Sequence, residues 1–447
     1  MSKSINLNEK IEYKGFWYLP TKTDIKIAGI LTYYPNEKII LELIDTFYEN
    51  LNQIFGNTSE TIIWGITSDS NRISLVDCHG YSSLNFSAGF PITKFRCQYM
   101  IVGKHISSIE DKGQYSITFK IPELNLWYRP KAIKSYAYPN NENHSKNIIC
   151  LSFETEYQNK NNTIKDVELE DGRIISLRQG VNYNATFDFL NPQLEQYTYV
   201  SITRKSTSSI WDLLSDMHVF EEFLSLATLS NVYSSEITFF DNELYQQFSG
   251  GRYYNPIHFI YPNIERADII QDANRQPLFT YDSIRDIYAD IINSWFNSPS
   301  DIYPIRKHLI QSLKRKRIYG SVDFLMIVQA IEGFWWRFKD SEYRLKNNIS
   351  NKQKTQLKTI ISELLSEYND IELMSKTTFD IAAEVASRHY YSHFLPKNKQ
   401  PKALDGVDLY NESKKLKMLL VCCMLSFIGI DHSRMNLIFN NSAIKMM

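Results

Sequence analysis

The sequence predicts a multidomain α+β protein: an N-terminal antiparallel β-sandwich or barrel-like domain followed by a C-terminal antiparallel α-helical bundle. Three observations carry this expectation. Up to about residue 205, short segments rich in β-branched and aromatic residues alternate with turn-like clusters. After Ser208 the apolar period changes from two residues to three or four. From about residue 300 onward, amphipathic stretches follow one another with short loops between them.

Taken in order, the segments "KIAGILTYY", "KIILELI", "TIIWGIT", "RISLVDC", "RCQYMIVG", "QYSITFKI", "NIICLSF", "RIISLRQG", "YNATFDFL" and "YTYVSITRK" read as strands. Clusters such as "YPNE", "SDSN" and "YPNNEN" separate them, and no helix intervenes, which is the pattern of an antiparallel sheet. Trp211, Leu214, Met217, Phe220, Leu224 and Ala227 then recur at helical spacing, with Ser209 placed as the N-cap. This gives a β-rich domain over residues 1–235 that ends in a helix. A mixed connector follows over 236–299. Its glycine pair in "FSGGRYYNP" predicts a turn, because no GK[ST] follows to make a phosphate loop.

Residues 300–447 are read as the bundle. Its first helix lies near "YPIRKHLIQSLKRKR". The second, "VDFLMIVQAIEGFWWRF", carries an apolar stripe of Phe324, Ile327, Val328, Ile331, Trp335 and Phe338. The third is "QLKTIISELLSEY". The fourth runs from about Thr377 and stops before Pro396. The fifth spans about Leu409 to Ile428, with Gly429 placed to terminate it.

The chain of 447 residues is long enough to bury a sizeable core. Its formal net charge of −1 means that any attraction to nucleic acid comes from a local patch. Five scattered cysteines without a CxxC pair support neither a disulfide framework nor a zinc ribbon. No apolar signal core opens the sequence, and no apolar run of about 18 residues follows. These features lead us to expect a cytoplasmic protein with no membrane partner, metal or cofactor.

The segment "ASRHYYSHF" (Ala386–Phe394) places an arginine and two of the nine histidines within six residues. Three readings are open. Arg388, His389 and His393 are ordinary bundle residues bonded to backbone or carboxylates. Alternatively, His389 and His393, four apart, form a metal-binding pair, although Tyr390 stands where the HExxH glutamate would be. In the third reading Arg388 and His393 work together on a phosphodiester. On an ideal helix they point about 140° apart, so either the helix ends or bends between them or two copies meet across a dimer axis. Arginine offers a fixed positive fork for phosphate. Histidine can deprotonate a ribose 2′-OH or protonate a leaving 5′ oxygen.

"RHYYSH" resembles the R-x4-6-H motif of HEPN ribonucleases, with His389 in the polar slot after the arginine. Its place after "FLMIVQAIEGFWWRF" and before "DLYNESKKLKMLLVCCMLSFIGI" resembles the ApeA-like branch in particular. In the first half, "GFWYLP", "AGILTYY", "IILELI", "IIWGIT", "ISLVDC" and "NLWYRP" are similar, in that order, to the ApeA N-terminal domain. The resemblance implies a bacterial anti-phage abortive-infection factor that cleaves RNA without metal. tRNA anticodon loops are the implied substrate; on the Arg-His reading itself the nucleophile belongs to the RNA, so the expected ends are a 2′,3′-cyclic phosphate and a 5′-OH. The resemblance assigns catalysis to Arg388 and His393, with His389 in support. It also implies an even-numbered homo-oligomer paired through the HEPN domains and a phage-derived trigger.

Four further features are weighed beside the motif. Tyr390 and Tyr391 are candidates to stack on an unpaired base or to pack in a core or interface. Glu332, one turn from Gln329, is a candidate to orient Arg388 or a histidine, or to form a plain salt bridge. The basic cluster of Lys314, Arg315, Lys316 and Arg317, with Arg306, Lys307 and His308 two turns earlier, is a candidate phosphate-tracking surface or a solvated face. The rival function is a non-catalytic nucleotide-, RNA- or protein-binding HEPN module that acts as an infection-sensing adaptor. Without a phosphate-cradling glycine loop, an ATPase or kinase is not supported.

Overall fold

The computed structural model describes residues 6–48, 58–81, 91–128, 134–139, 147–152, 166–184, 193–262, 276–314, 320–350 and 354–442. The chain divides into two units. One comprises Met1–Pro122, Ala132–His218 and Tyr233–Asn274; the other comprises Glu123–Lys131, Val219–Val232 and Arg275–Met447.

The first unit is built around a closed antiparallel barrel. Its strands are Ile11–Leu19 (β1), Lys22–Tyr34 (β2), Lys38–Leu43 (β3), Ser59–Thr67 (β4), Arg72–Gly80 (β5) and Thr93–Val102 (β6). The order β6-β3-β2-β1-β4-β5 closes because β5 also pairs with β6, with Ile73 opposite Val102 and Cys78 opposite Cys97. Closure removes the free sheet edges that alternating apolar strands would otherwise expose.

Trp17, Leu31, Leu41, Ile63, Leu75 and Phe95 are among the side chains that fill the interior. The bulk of Trp17 explains a glycine. Gly65 lies opposite it on β4, and a Cβ at Gly65 would come within 2.3 Å of the indole ring. Two of the sequence segments, "GFWYLP" and "IIWGIT", therefore meet as a ring and the gap that admits it.

Further strands extend the sheet outward from β6. They are Gln114–Lys120 (β7), Val167–Glu168 (β10), Ile174–Asn184 (β11), Gln193–Ser208 (β12), Ser235–Asp241 (β13) and Ile257–Ile260 (β16), in the order β10-β11-β12-β7-β13-β16-β6. Lys134–Pro139 (β8) pairs with Asn147–Ser152 (β9), and Tyr245–Phe248 (β14) pairs with Gly251–Tyr254 (β15). The glycine pair expected to form a turn does so: Phe248 is opposite Gly251, whose φ of +129° is open to glycine.

Helix α1 (Ile210–Thr228) begins where Ser209 predicts. The Ser209 hydroxyl accepts from the Asp212 amide at 3.1 Å, and the Asp212 carboxylate accepts from the Ser209 amide at 3.1 Å.

The second unit is helical. Its longer helices are α2 (Tyr288–Phe296), α3 (Tyr303–Lys314), α4 (Ser321–Phe334), α5 (Asp340–Asn347), α6 (Leu357–Glu367), α7 (Ile381–His393), α8 (Gly406–Phe427) and α9 (His432–Asn441). Helix α4 packs on α3, α6, α7 and α8. Its Phe324, Ile327, Val328 and Ile331 are buried, as the apolar stripe predicts.

Two expectations need correction. The second bundle helix is not α-helical to Phe338: Trp335–Lys339 form a π-helical turn that leads into α5. The fourth begins at Ile381 rather than near Thr377, because the Asp380 carboxylate accepts from the Ala383 amide at 3.0 Å and caps it. Gly429 ends α8 as expected. At φ +94°, its amide donates to Ser426 O at 3.0 Å while the Ile430 amide donates to Leu425 O at 3.0 Å. Among the described residues, no helix is long and apolar enough to cross a membrane.

Substituting Gly65→Ala should lower the melting temperature of the chain, at a cost of about 1–3 kcal/mol for overpacking against Trp17. Gly333→Ala is the control, because its Cβ meets Ile305 only at an ordinary 3.5 Å. It should leave stability unchanged or raise it by about 0.5–1 kcal/mol through helix propensity. Thermal melts followed by circular dichroism read both.

Candidate active site in the helical unit

Helix α7 carries the segment singled out in the sequence. Small residues on its inner side let it approach its neighbours: Ala383, Ala386 and Ser387 are buried. The Ser387 hydroxyl donates to Ala383 O at 2.7 Å and accepts from the Leu404 amide at 2.8 Å. One turn on, the Tyr391 hydroxyl donates to Leu404 O at 2.9 Å and also contacts the Asp405 carboxylate at 3.2 Å. These bonds tie the loop after α7 back along the helix.

Arg388 lies between two partners. Its Nη1 is 3.1 Å from His393 Nε2, and its Nη2 is 3.4 Å from Glu332 Oε2 on α4. A guanidinium has only donors, so in this contact His393 Nε2 is the acceptor. The two groups meet within one chain, and no bend or second copy is needed to join them. The ideal-helix angle describes where side chains leave the backbone. The arginine is long enough to reach around, and His393 is the last residue of the helix before Phe394 turns left-handed at φ +50°.

Glu332 is almost wholly buried, so Arg388 is the partner that offsets its desolvation. The His389 ring lies nearly parallel to that of His393, at 5.9 Å and 23°. Burial pushes the pKa of His389 below the usual imidazole value, and the positive charge of Arg388 and the neighbouring His393 add to this. His389 is therefore a neutral polar neighbour. Stacked rings do not converge on an ion, and among the described residues no group of three or more His, Cys, Asp or Glu is placed to hold a metal.

The other sequence-derived candidates fall differently. Tyr391 is engaged in the loop, where burial followed by the Asp405 charge pushes its hydroxyl up to about 12. Tyr390 meets it edge-on at 4.8 Å, and Lys397 lies 5.4 Å from the Tyr390 ring centre. Neither ring is a free platform.

Arg306 does not belong to a surface patch. It is 3% exposed, ion-paired to Glu222 at 2.8 Å and stacked over Trp295 and Tyr303 at 4.7 and 4.9 Å. The reason is its place on the face of α3 that also buries Ile305, Leu309 and Ile310. Lys307 is exposed and pairs with the same Glu222. The side chain of Lys314 and all of Arg315, Lys316 and Arg317 lie outside the described residues.

One feature escaped the sequence reading. Glu384, on α7, and Glu412, on α8, are both buried. Burial pushes Glu384 up to about 9, and the hydrogen bond and charge of Glu412 add to the shift. Lys415 binds Glu412 at 2.5 Å and Thr378 O at 2.7 Å. Glu384 therefore keeps its proton at neutral pH, and only the packing of the two helices reveals it.

A β-barrel unit and a helical bundle whose late helix brings Arg388 and His393 together define a HEPN-type architecture. Residues 12–295 match the family model described as ApeA N-terminal domain 1, and residues 325–434 match the one described as Apea-like HEPN. The chain belongs to the ApeA family of anti-phage HEPN proteins. HEPN domains are typically ribonucleases. No curated protein and no solved structure matches the chain.

The raised pKa of Glu384 predicts a pH dependence with a definite sign. The folded state keeps a proton that the unfolded chain releases above its ordinary value of 4.5. Unfolding therefore releases a proton between that value and about 9, and stability falls as pH rises through this window. Glu384→Gln, which stays neutral, should flatten the fall in melting temperature between about pH 5 and pH 8.5. Melts of both proteins across that range check this.

Proposed function

We propose that the chain is a metal-independent endoribonuclease of anti-phage defence, with Arg388 and His393 as its catalytic residues. The observation that carries this reading is the 3.1 Å approach of Arg388 Nη1 to His393 Nε2, with Glu332 behind the arginine. In the free protein this contact orients the imidazole. When RNA enters, Arg388 turns its fork to the phosphate oxygens and leaves His393 free to act as base.

His393 takes the proton from a ribose 2′-OH, the 2′ oxygen attacks the adjacent phosphorus, and the bond to the 5′ oxygen breaks. That oxygen takes a proton from water, and His393 returns the proton it took to solvent. The products are a 2′,3′-cyclic phosphate and a 5′-OH. The nucleophile belongs to the RNA, and charge on the phosphoryl oxygens is met by Arg388. Glu332 positions the guanidinium, and His389 supplies a neutral polar wall.

Unpaired RNA, and within it the anticodon loop of tRNA, is the substrate we assign. In the cell a phage-derived trigger acts on a bacterial cytoplasmic protein, and the assembly is an even-numbered homo-oligomer paired through the helical units. A twofold contact of this kind is self-complementary.

Purified protein should cut RNA in EDTA and leave 5′-OH ends. Arg388→Ala and His393→Ala should each lower the rate by about 10²-fold or more. Intact RNA after long incubation, with tight binding retained, would replace this reading with that of a non-catalytic binding module.

A mixture of Arg388→Ala and His393→Ala subunits should stay inactive, because the arginine and histidine that pair belong to one chain. Recovered cleavage would mean that they act across subunits. Sequencing RNA ends after induced expression, wild type beside His393→Ala, identifies the bond cut.

A further inference from the structure

Phe394 follows the candidate base directly and is 91% exposed, more than any other large apolar residue among those described. Its backbone is left-handed at φ +50° and closes the helix, with the Phe394 and Leu395 amides both donating to Tyr390 O. Glycine or asparagine ordinarily occupies this position. A side chain is disfavoured there, and an exposed ring gains nothing from burial. Folding stability therefore disfavours phenylalanine here on two counts, and a strained, exposed residue beside a reactive pair calls for a functional reason.

The chain that follows supplies a complementary feature. "FLPKNKQPKAL" (394–404) contains three lysines and no acid, and Lys397, Lys399 and Lys402 are all exposed. Lys397 is held by Ala403 O. Among the described residues none of the three is ion-paired. The loop itself is fixed by Ser387 and Tyr391. An exposed aromatic ring beside lysines that have no carboxylate partner among the described residues, on an anchored loop, is the combination that holds unpaired nucleic acid. The two tyrosines of the motif, by contrast, are occupied.

We propose that Phe394 is a stacking platform for an unpaired base next to the phosphate that Arg388 and His393 engage, with Lys397, Lys399 and Lys402 meeting the adjoining phosphates. The assignment deepens the RNA reading of the site and rests on it for the substrate class, though not for cleavage.

The test uses the full chain with His393→Ala, so that RNA stays intact, and a short unstructured RNA labelled with fluorescein. Phe394→Gly should keep or raise the melting temperature, since glycine suits the backbone, yet weaken binding about tenfold or more. Phe394→Trp should bind as the parent does. Abasic residues throughout the oligonucleotide should erase the difference between the ring and glycine. Cleavage is followed separately with His393 intact, where the loss should appear in KM.

Binding that depends on Phe394 without any cleavage keeps the stacking assignment and removes the ribonuclease reading. Equal affinity of Phe394→Gly and its parent overturns the assignment, as does a parent that binds no RNA. An oligomer that dissociates on Phe394→Gly while its subunits bind RNA unchanged also overturns it, and makes the ring a contact between copies.

Discussion

The Arg388 side chain is three-quarters withdrawn from water, and its charge must be met by neighbouring groups; the helical unit around it is arranged to that end. Glu332 approaches from α4 and His393 from the end of the same helix. The cap at Asp380 sets where α7 begins, the small residues on its inner face bring it close to α4, and the left-handed turn at Phe394 ends it with the imidazole in reach. If any of these is displaced, the arginine loses a partner.

Charge is graded along α7. One turn before Arg388, Glu384 is fully buried and neutral because burial disfavours its charge and the nearby Glu412 adds to the effect. At Arg388 the side chain is partly open and charged, and His393 is exposed. The helix thus runs from a buried, protonated carboxyl to a solvent-exposed end. His389 remains neutral between them.

The barrel unit follows a different logic, in which shape prevails over charge. Trp17 fills the interior, and Gly65 on the facing strand leaves room for it. The sequence shows both as short motifs, "GFWYLP" and "IIWGIT", but their meeting depends on strand register. Period-two alternation predicts which side chains face inward and does not say which strand pairs with which. The strands β13 and β16 lie in the stretch read as mixed. β16 has four residues, and β13, although its burial alternates, is bulged against β7 and carries adjacent Phe239 and Phe240 that break the apolar period in the sequence.

The sequence by itself determined the two-part α+β class, the helices of the bundle, the caps at Ser209 and Gly429, and the Arg-His motif, because each is written in neighbouring residues. The tertiary structure alone decided that the barrel closes, that Arg306 is buried, that Glu384 faces Glu412, and that Tyr391 is occupied while Phe394 stands free. Each of these depends on a partner distant along the chain, or on a backbone turn set by the loop that follows. Local periodicity records the face on which a residue lies and not what is packed against that face.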